Sequence, residues 1–187
     1  SGPSGTGKGT ICSRIMEERK LSLSISMTTR APRDGEKDGQ SYYFVTKEEF
    51  ENKIKEDKML EYAKVFDNYY GTPKDKVISR LERGIDVILE IDIQGGLQVR
   101  SKMPEDSVLI FILPPSLEEL KNRLNSRGTE SIEAIEKRLS KALDEIRFIG
   151  EYDYYIVNDD LEKAVGEALS IVDAERLRVP PKVEPII

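Results

Sequence analysis

The stretch Gly2-Pro-Ser-Gly5-Thr-Gly7-Lys8-Gly9-Thr10 decides how the rest of the chain is read. Its glycines let the backbone curl so that successive N–H groups converge on phosphate oxygens. A helix opening at Lys8 adds the positive end of its dipole, and the Lys8 ammonium adds a point charge. A plain glycine-rich turn would not need four glycines with a lysine in register. A nucleoside triphosphate is therefore the expected ligand of Gly2, Pro3, Ser4, Gly5, Thr6, Gly7, Lys8, Gly9 and Thr10. Gly9 stands where such loops usually carry Ser or Thr, so metal ligation from that position is lost. Mg²⁺ arriving with the triphosphate would be met by the Thr10 hydroxyl or through bound waters, with no dedicated protein site.

Such a loop is fed by a buried strand, and the sequence begins at Ser1. The expectation is that this strand precedes Ser1, outside the sequence given. Lys20-Leu21 passes from helix to strand without Gly, Asn or Pro, and a few residues are expected to be missing there too. Downstream, short apolar runs at 23–27, 87–91, 108–113 and 154–157 alternate with amphipathic runs, the signature of an α/β fold with a parallel sheet. Helices are expected from Lys8 to about Arg19, from Ser116-Leu-Glu-Glu119 to about Ser126, over 132–148 and over 161–177.

Residues 29–83 break the pattern. Tyr42-Tyr-Phe-Val45 reads as a strand, and Thr46-Lys-Glu-Glu49 as a capping box opening a helix. Asp67-Asn68 reads as a hairpin turn, and Thr72-Pro73 as an N-cap with a first-turn proline. The expected fold is α/β: a phosphate-loop core (1–28 and 84–187) with a parallel sheet flanked by helices, a small mixed α+β insertion (29–83) and a helical lid (about 123–138).

Composition narrows the chemistry. The 187 residues carry 29 Lys+Arg against 35 Asp+Glu, a net charge of −6, which argues against gripping nucleic acid by bulk electrostatics. No apolar run is long enough for a membrane span, and a cytoplasmic protein is expected. The single Cys12 excludes an intrachain disulfide, and the absence of histidine excludes His acid–base catalysis and His-based metal sites. Carboxylates, Lys, Arg and backbone groups must do the work.

The phosphate loop together with Ser26-Met-Thr-Thr-Arg30-Ala-Pro-Arg33-Asp-Gly-Glu36, Gly39-Gln-Ser-Tyr42, Glu61-Tyr-Ala, Asn68-Tyr-Tyr-Gly-Thr72, Glu90-Ile-Asp92-Ile-Gln-Gly95, Arg127-Gly-Thr-Glu130 and Val157-Asn-Asp-Asp160 resembles the guanylate kinases, in order and over almost the whole chain. The resemblance implies transfer of the γ-phosphoryl of ATP to GMP, with those two nucleotides as partners; it leaves oligomeric state open. It implies that Arg30, Arg33, Tyr42 and Tyr70 hold the GMP phosphate. Ser26 and Thr72 would lie near guanine O6, and Glu61 and Asp92 would read guanine's donors. Glu90 stands where many relatives carry Asp, its role undecided between nucleotide and metal-bound water. Arg127 and Arg138, with the helix-face Arg123, look like lid arginines, and Asn158 matches a position near adenine. Lys8, Arg30, Arg127 and Arg138 are the expected catalytic set.

The chemistry of these side chains agrees. Guanidinium forks and phenols suit a phosphate monoester. A carboxylate offers only acceptors, which matches guanine's adjacent N1–H and N2–H₂ and leaves adenine unpaired. Two alternatives remain in view: a non-catalytic relative that binds phosphorylated partners, and an enzyme of this fold acting on another monophosphate or a phosphosugar. Intact Gly5, Gly7 and Lys8 weigh against the first, Glu61 with Thr72 against the second.

Overall fold

The structure is a computed structural model describing residues 1–65, 67–125 and 132–178. It forms two compact units: Ser1–Arg19 with the chain from Met103 onward, and Lys20–Lys102. The boundaries drawn from sequence, at 29 and 83, follow the change in residue pattern; the compact units divide at 19/20 and 102/103.

In the first unit the loop runs into α1 (Lys8–Glu18), followed after Met103 by β1 (Ile110–Leu113), α2 (Leu117–Asn125), α3 (Ile132–Ile146), β2 (Tyr154–Val157) and α4 (Leu161–Arg176). Strands β1 and β2 pair in parallel from Ile110↔Tyr154 to Leu113↔Val157. Ser1 adds to the other side of β1: its amino group donates to Ile110 O and its carbonyl accepts from Ile112 N. Helix α1 turns Ile11 and Ile15 inward, and α4 turns Ala164, Val165 and Ala168 inward. Two ion pairs, Arg14–Glu162 and Arg19–Asp173, tie these helices together at the rim. Leu120 and Leu124 of α2 form a separate apolar cluster with Ile135 and Ala142 of α3. Ser116 caps α2 by accepting from Glu119 N, while the Glu119 carboxylate pairs with Arg123 rather than closing a capping box. Helix α3 stops at Ile146, two residues before the expected end, where a short 3₁₀ segment takes over.

The second unit contains β3 (Ser22–Leu23), β4 (Met27–Thr28), β5 (Tyr43–Phe44), α5 (Lys47–Lys55), β6 (Met59–Val65), β7 (Asn68–Pro73), α6 (Lys74–Leu81), β8 (Val87–Ile88) and α7 (Ile93–Lys102). Strands β3 and β8 form a parallel pair, while β5-β4-β7-β6 form a mixed sheet. Met27, Phe50 and Met59 make its buried core, and the Thr46/Glu49 capping box opening α5 is complete. The α/β character expected from sequence holds. Details differ where local pattern was outweighed. The run at 23–27 divides between two sheets, because apolar residues spaced by serines satisfy either. Val65 pairs with Asn68, which puts Asn68 inside β7 instead of the turn. Thr72 also stays in the strand, and Pro73 takes the N-cap position of α6. Residues 89–92 leave the strand early, and the unanticipated α7 begins at once. Its Gln-Gly-Gly start is a poor helix signal, rescued by Asp92, whose carboxylate accepts from Gly95 N at 2.8 Å. Helix α7 lies along β6, where the Gln98 side-chain amide exchanges two hydrogen bonds with the Tyr62 backbone.

Candidate active site

In the first unit the phosphate loop is braced from inside. Thr6 is fully buried, its hydroxyl donating to Pro3 O at 2.9 Å. The buried Asn158 amide, at the end of β2, donates to Thr6 O at 2.8 Å. Gly7 closes the loop with φ of 87°, and a Cβ there would strike the Asn158 amide nitrogen, so both conformation and space demand glycine. Lys8 folds back over the loop, its ammonium donating to Gly2 O at 2.6 Å and Pro3 O at 2.9 Å. Arg138, from α3, reaches Ser4 Oγ at 2.5 Å. Gly2 to Thr10, Arg138 and Asn158 therefore gather at one end of the parallel strands, where α/β folds present ligand groups. Arg127 lies outside the described residues.

The second unit holds two polar clusters, strung along β7. Tyr70 and Thr72 are two residues apart and so share a face of the strand. Around Tyr70, the Arg30 guanidinium sits 5.6 Å from the Tyr42 ring centroid and pairs with Glu36 Oε1 at 2.9 Å; Glu36 and, more weakly, Tyr70 favour its charged form. Tyr42 and Tyr70 meet edge to face, 6.1 Å apart. Glu90 is exposed; the Tyr42 hydroxyl is pushed up mainly by burial and by the charge of Tyr70, with a small contribution from the Glu90 charge. Arg33 is exposed; its backbone N–H donates to Glu36 Oε2. Ser26 precedes β4 and accepts through its carbonyl from Tyr43 N.

Glu61 centres the other cluster. It stands opposite Thr72 across the hairpin, and the Thr72 hydroxyl donates to Glu61 Oε1 at 2.6 Å. Burial pushes the Glu61 carboxyl up to about 7; the Thr72 bond opposes this and the Asp92 charge adds to it. A buried carboxylate without a cationic partner at hydrogen-bond distance is costly, and a structure retains one where it is used.

Comparison with known proteins gives the family. The guanylate kinase family model matches residues 1–175. The chain belongs to the guanylate kinase family. It is 56% identical to the guanylate kinase of Caldanaerobacter subterraneus subsp. tengcongensis over 96% of this chain and 87% of that one. It is likewise 56% identical to the guanylate kinase of Clostridium tetani, over 96% and 86%. The crystal structure of guanylate kinase from Anaplasma phagocytophilum superposes with a TM-score of 0.75 at 37% identity, covering 91% of this chain and 83% of that one.

Two guanylate kinase residues here carry roles that sequence reading did not assign. Glu36 holds Arg30 by its side chain and Arg33 by its backbone, and the Arg30 side chain and the Arg33 backbone lower its carboxyl from the usual value. A carboxylate three residues beyond an arginine in a Pro/Gly-rich loop was the available signal. Asn158, which the resemblance sets near adenine, also braces the loop by donating its amide N–H to Thr6 O; no sequence signal announces that second use.

Proposed function

We propose that the clusters of this guanylate kinase divide its reaction as follows. The reaction moves the γ-phosphoryl group of ATP to GMP, giving ADP and GDP. Gly2 to Thr10 cradle the triphosphate of ATP, with Lys8 exchanging its loop carbonyls for β- and γ-oxygens, and Asn158 keeping the loop in shape. In the 29–83 insertion, Arg30, Arg33, Tyr42 and Tyr70 grip the GMP phosphate. Glu61, with Ser26, Thr72 and Asp92, reads guanine, and Glu90 flanks the acceptor. Two residues of strand advance about 7 Å, which suits the two ends of one monophosphate. Arg138, with Arg127, closes over the transferring group from the lid.

The acceptor phosphate, with a second pKa near 6, is already mostly dianionic at neutral pH. No side chain need remove a proton, which accords with a chain without histidine. Catalysis is then alignment and charge neutralisation by loop N–H groups, Lys8 and arginines, with water excluded once both nucleotides are bound. Among the described residues no group of three or more Asp, Glu, Cys or His side chains could hold a metal ion, and the Thr10 hydroxyl is exposed on the first turn of α1. This donor set fits Mg²⁺ carried in by ATP, met by Thr10 or its waters, and supplying charge neutralisation at the phosphates. No described helix is long and apolar enough to cross a membrane, in keeping with a cytoplasmic enzyme.

The buried Glu61–Thr72 pair carries this reading. Its test is Glu61→Gln, assayed by ADP release with ATP and either GMP or IMP. The variant presents an NH₂ to one of guanine's donors, so GMP efficiency should fall at least about tenfold. IMP, lacking the exocyclic donor, should lose much less. An unmoved GMP/IMP ratio of kcat/KM would remove Glu61 from base recognition.

A further inference from the structure

Gly95 touches both carboxylates of the base-reading cluster. Its N–H donates to Asp92 Oδ1 at 2.8 Å. A Cβ built on it would lie 2.9 Å from Glu61 Oε2 and 3.3 Å from Glu61 Cδ. Helix propensity does not account for this glycine: its φ is not left-handed, and alanine is the better residue inside a helix. What would object to a methyl group is the Glu61 carboxylate, with the Ile91 Cβ also close at 3.3 Å. Glu61 has little freedom to retreat. Its other oxygen is held by the Thr72 hydroxyl at 2.6 Å, and the side chain is buried.

We infer that Gly95 is a positioning residue for base selection, its bare Cα leaving the space in which Glu61 presents both oxygens to guanine while its N–H fixes Asp92 alongside. The inference rests on Glu61 being the guanine reader. Because the atom forced to yield is the end of a side chain and not backbone, the damage from a methyl group falls on recognition more than on folding.

The experiment uses the full chain, measuring kcat/KM for GMP and for IMP, KM for ATP and thermal stability. Gly95→Ala should lower the GMP/IMP ratio by about tenfold or more, the scale at which one misplaced methyl discriminates. The KM for ATP should stay within about twofold. Gly166→Ala, a helical glycine with open space around it, should leave the kinetic values unchanged and raise the thermal stability slightly. Glu61→Asp withdraws the carboxylate by one methylene, so adding Gly95→Ala to that variant should cost far less than adding it to the natural chain. Equal costs in the two backgrounds overturn the inference. A ratio moved by Glu61→Gln but not by Gly95→Ala overturns it while sparing Glu61; a ratio moved by neither removes both. If Gly95→Ala fails to fold alone yet folds with Glu61→Asp, the carboxylate is the obstacle and the inference stands. Failure in both backgrounds assigns the glycine to helix contacts and overturns it.

Discussion

The Thr72 hydroxyl donates to Glu61 Oε1 at 2.6 Å between two facing strands, with Thr72 fully buried and Glu61 5% exposed. The threonine holds one oxygen of the carboxylate in place and favours its charged form, against the desolvation that favours the neutral one. The balance leaves the group titrating at about 7, close to neutral pH.

Guanine recognition should therefore depend on pH. Guanine's donors need the ionised carboxylate, so binding is favoured above about 7 and lost below it, approaching tenfold per pH unit. GMP's own phosphate titrates nearby, but IMP shares that phosphate, so the GMP/IMP ratio of kcat/KM isolates Glu61. The ratio should rise from pH 5.5 to 8 and level off. Folding runs the other way. The folded pKa lies above the ordinary 4.5, so the neutral carboxyl's stability is fully present below 4.5 and lost as pH rises through about 7. Glu61→Gln should then be more stable than the natural chain at pH 8, with the gap closing by pH 4.5; a pH-independent gap would contradict this.

Lys8→Met removes the ammonium that spans Gly2 O and Pro3 O. Turnover should fall on the order of 10²–10³-fold, as for loss of a preorganised charge in the transition state, with little change in GMP affinity measured by calorimetry. Unchanged kcat would disprove the loop's part in transfer.

Glu36→Gln loosens Arg30 and Arg33 together. The KM for GMP should rise about three- to tenfold, as expected when a charge-assisted bond that only orients a partner is lost. The KM for ATP should not respond. A response confined to ATP would place the arginines on the other nucleotide.

Asn158→Ala leaves the Thr6 carbonyl without its buried donor, costing roughly 1–3 kcal/mol. For a chain of this size that lowers Tm by roughly 3–10 °C in a melting scan. ATP affinity should weaken alongside, since the loop loses its brace; a stability loss with untouched ATP affinity would make Asn158 purely structural.

Much of this was legible in the residues. The loop announces itself because its chemistry is contiguous, from Gly2 to Thr10, and the Thr46/Glu49 cap because it is local. Glu61 and Thr72 could be named, but not their mutual bond, since it depends on hairpin register rather than on either residue. Helix α7 was hidden because Gln94-Gly95-Gly96 opposes helix formation locally, and only the Asp92 cap and the strand beneath it tip the balance. Glu36 stayed unassigned because a loop carboxylate looks like any solvated charge until its arginine folds onto it.

Strand β6 is one of the two edge strands of the mixed sheet, and an edge strand offers unmet backbone groups to any passing chain. Tyr62 makes no such offer. Gln98 supplies an amide that imitates a peptide unit, and Lys102 of the same helix takes the Met59 carbonyl at 2.7 Å. The sheet is thereby finished by side chains. The helix that Asp92 caps, and whose Gly95 lies against Glu61, also keeps the protein from adding a foreign strand, so changes that loosen α7 carry a hazard of aggregation.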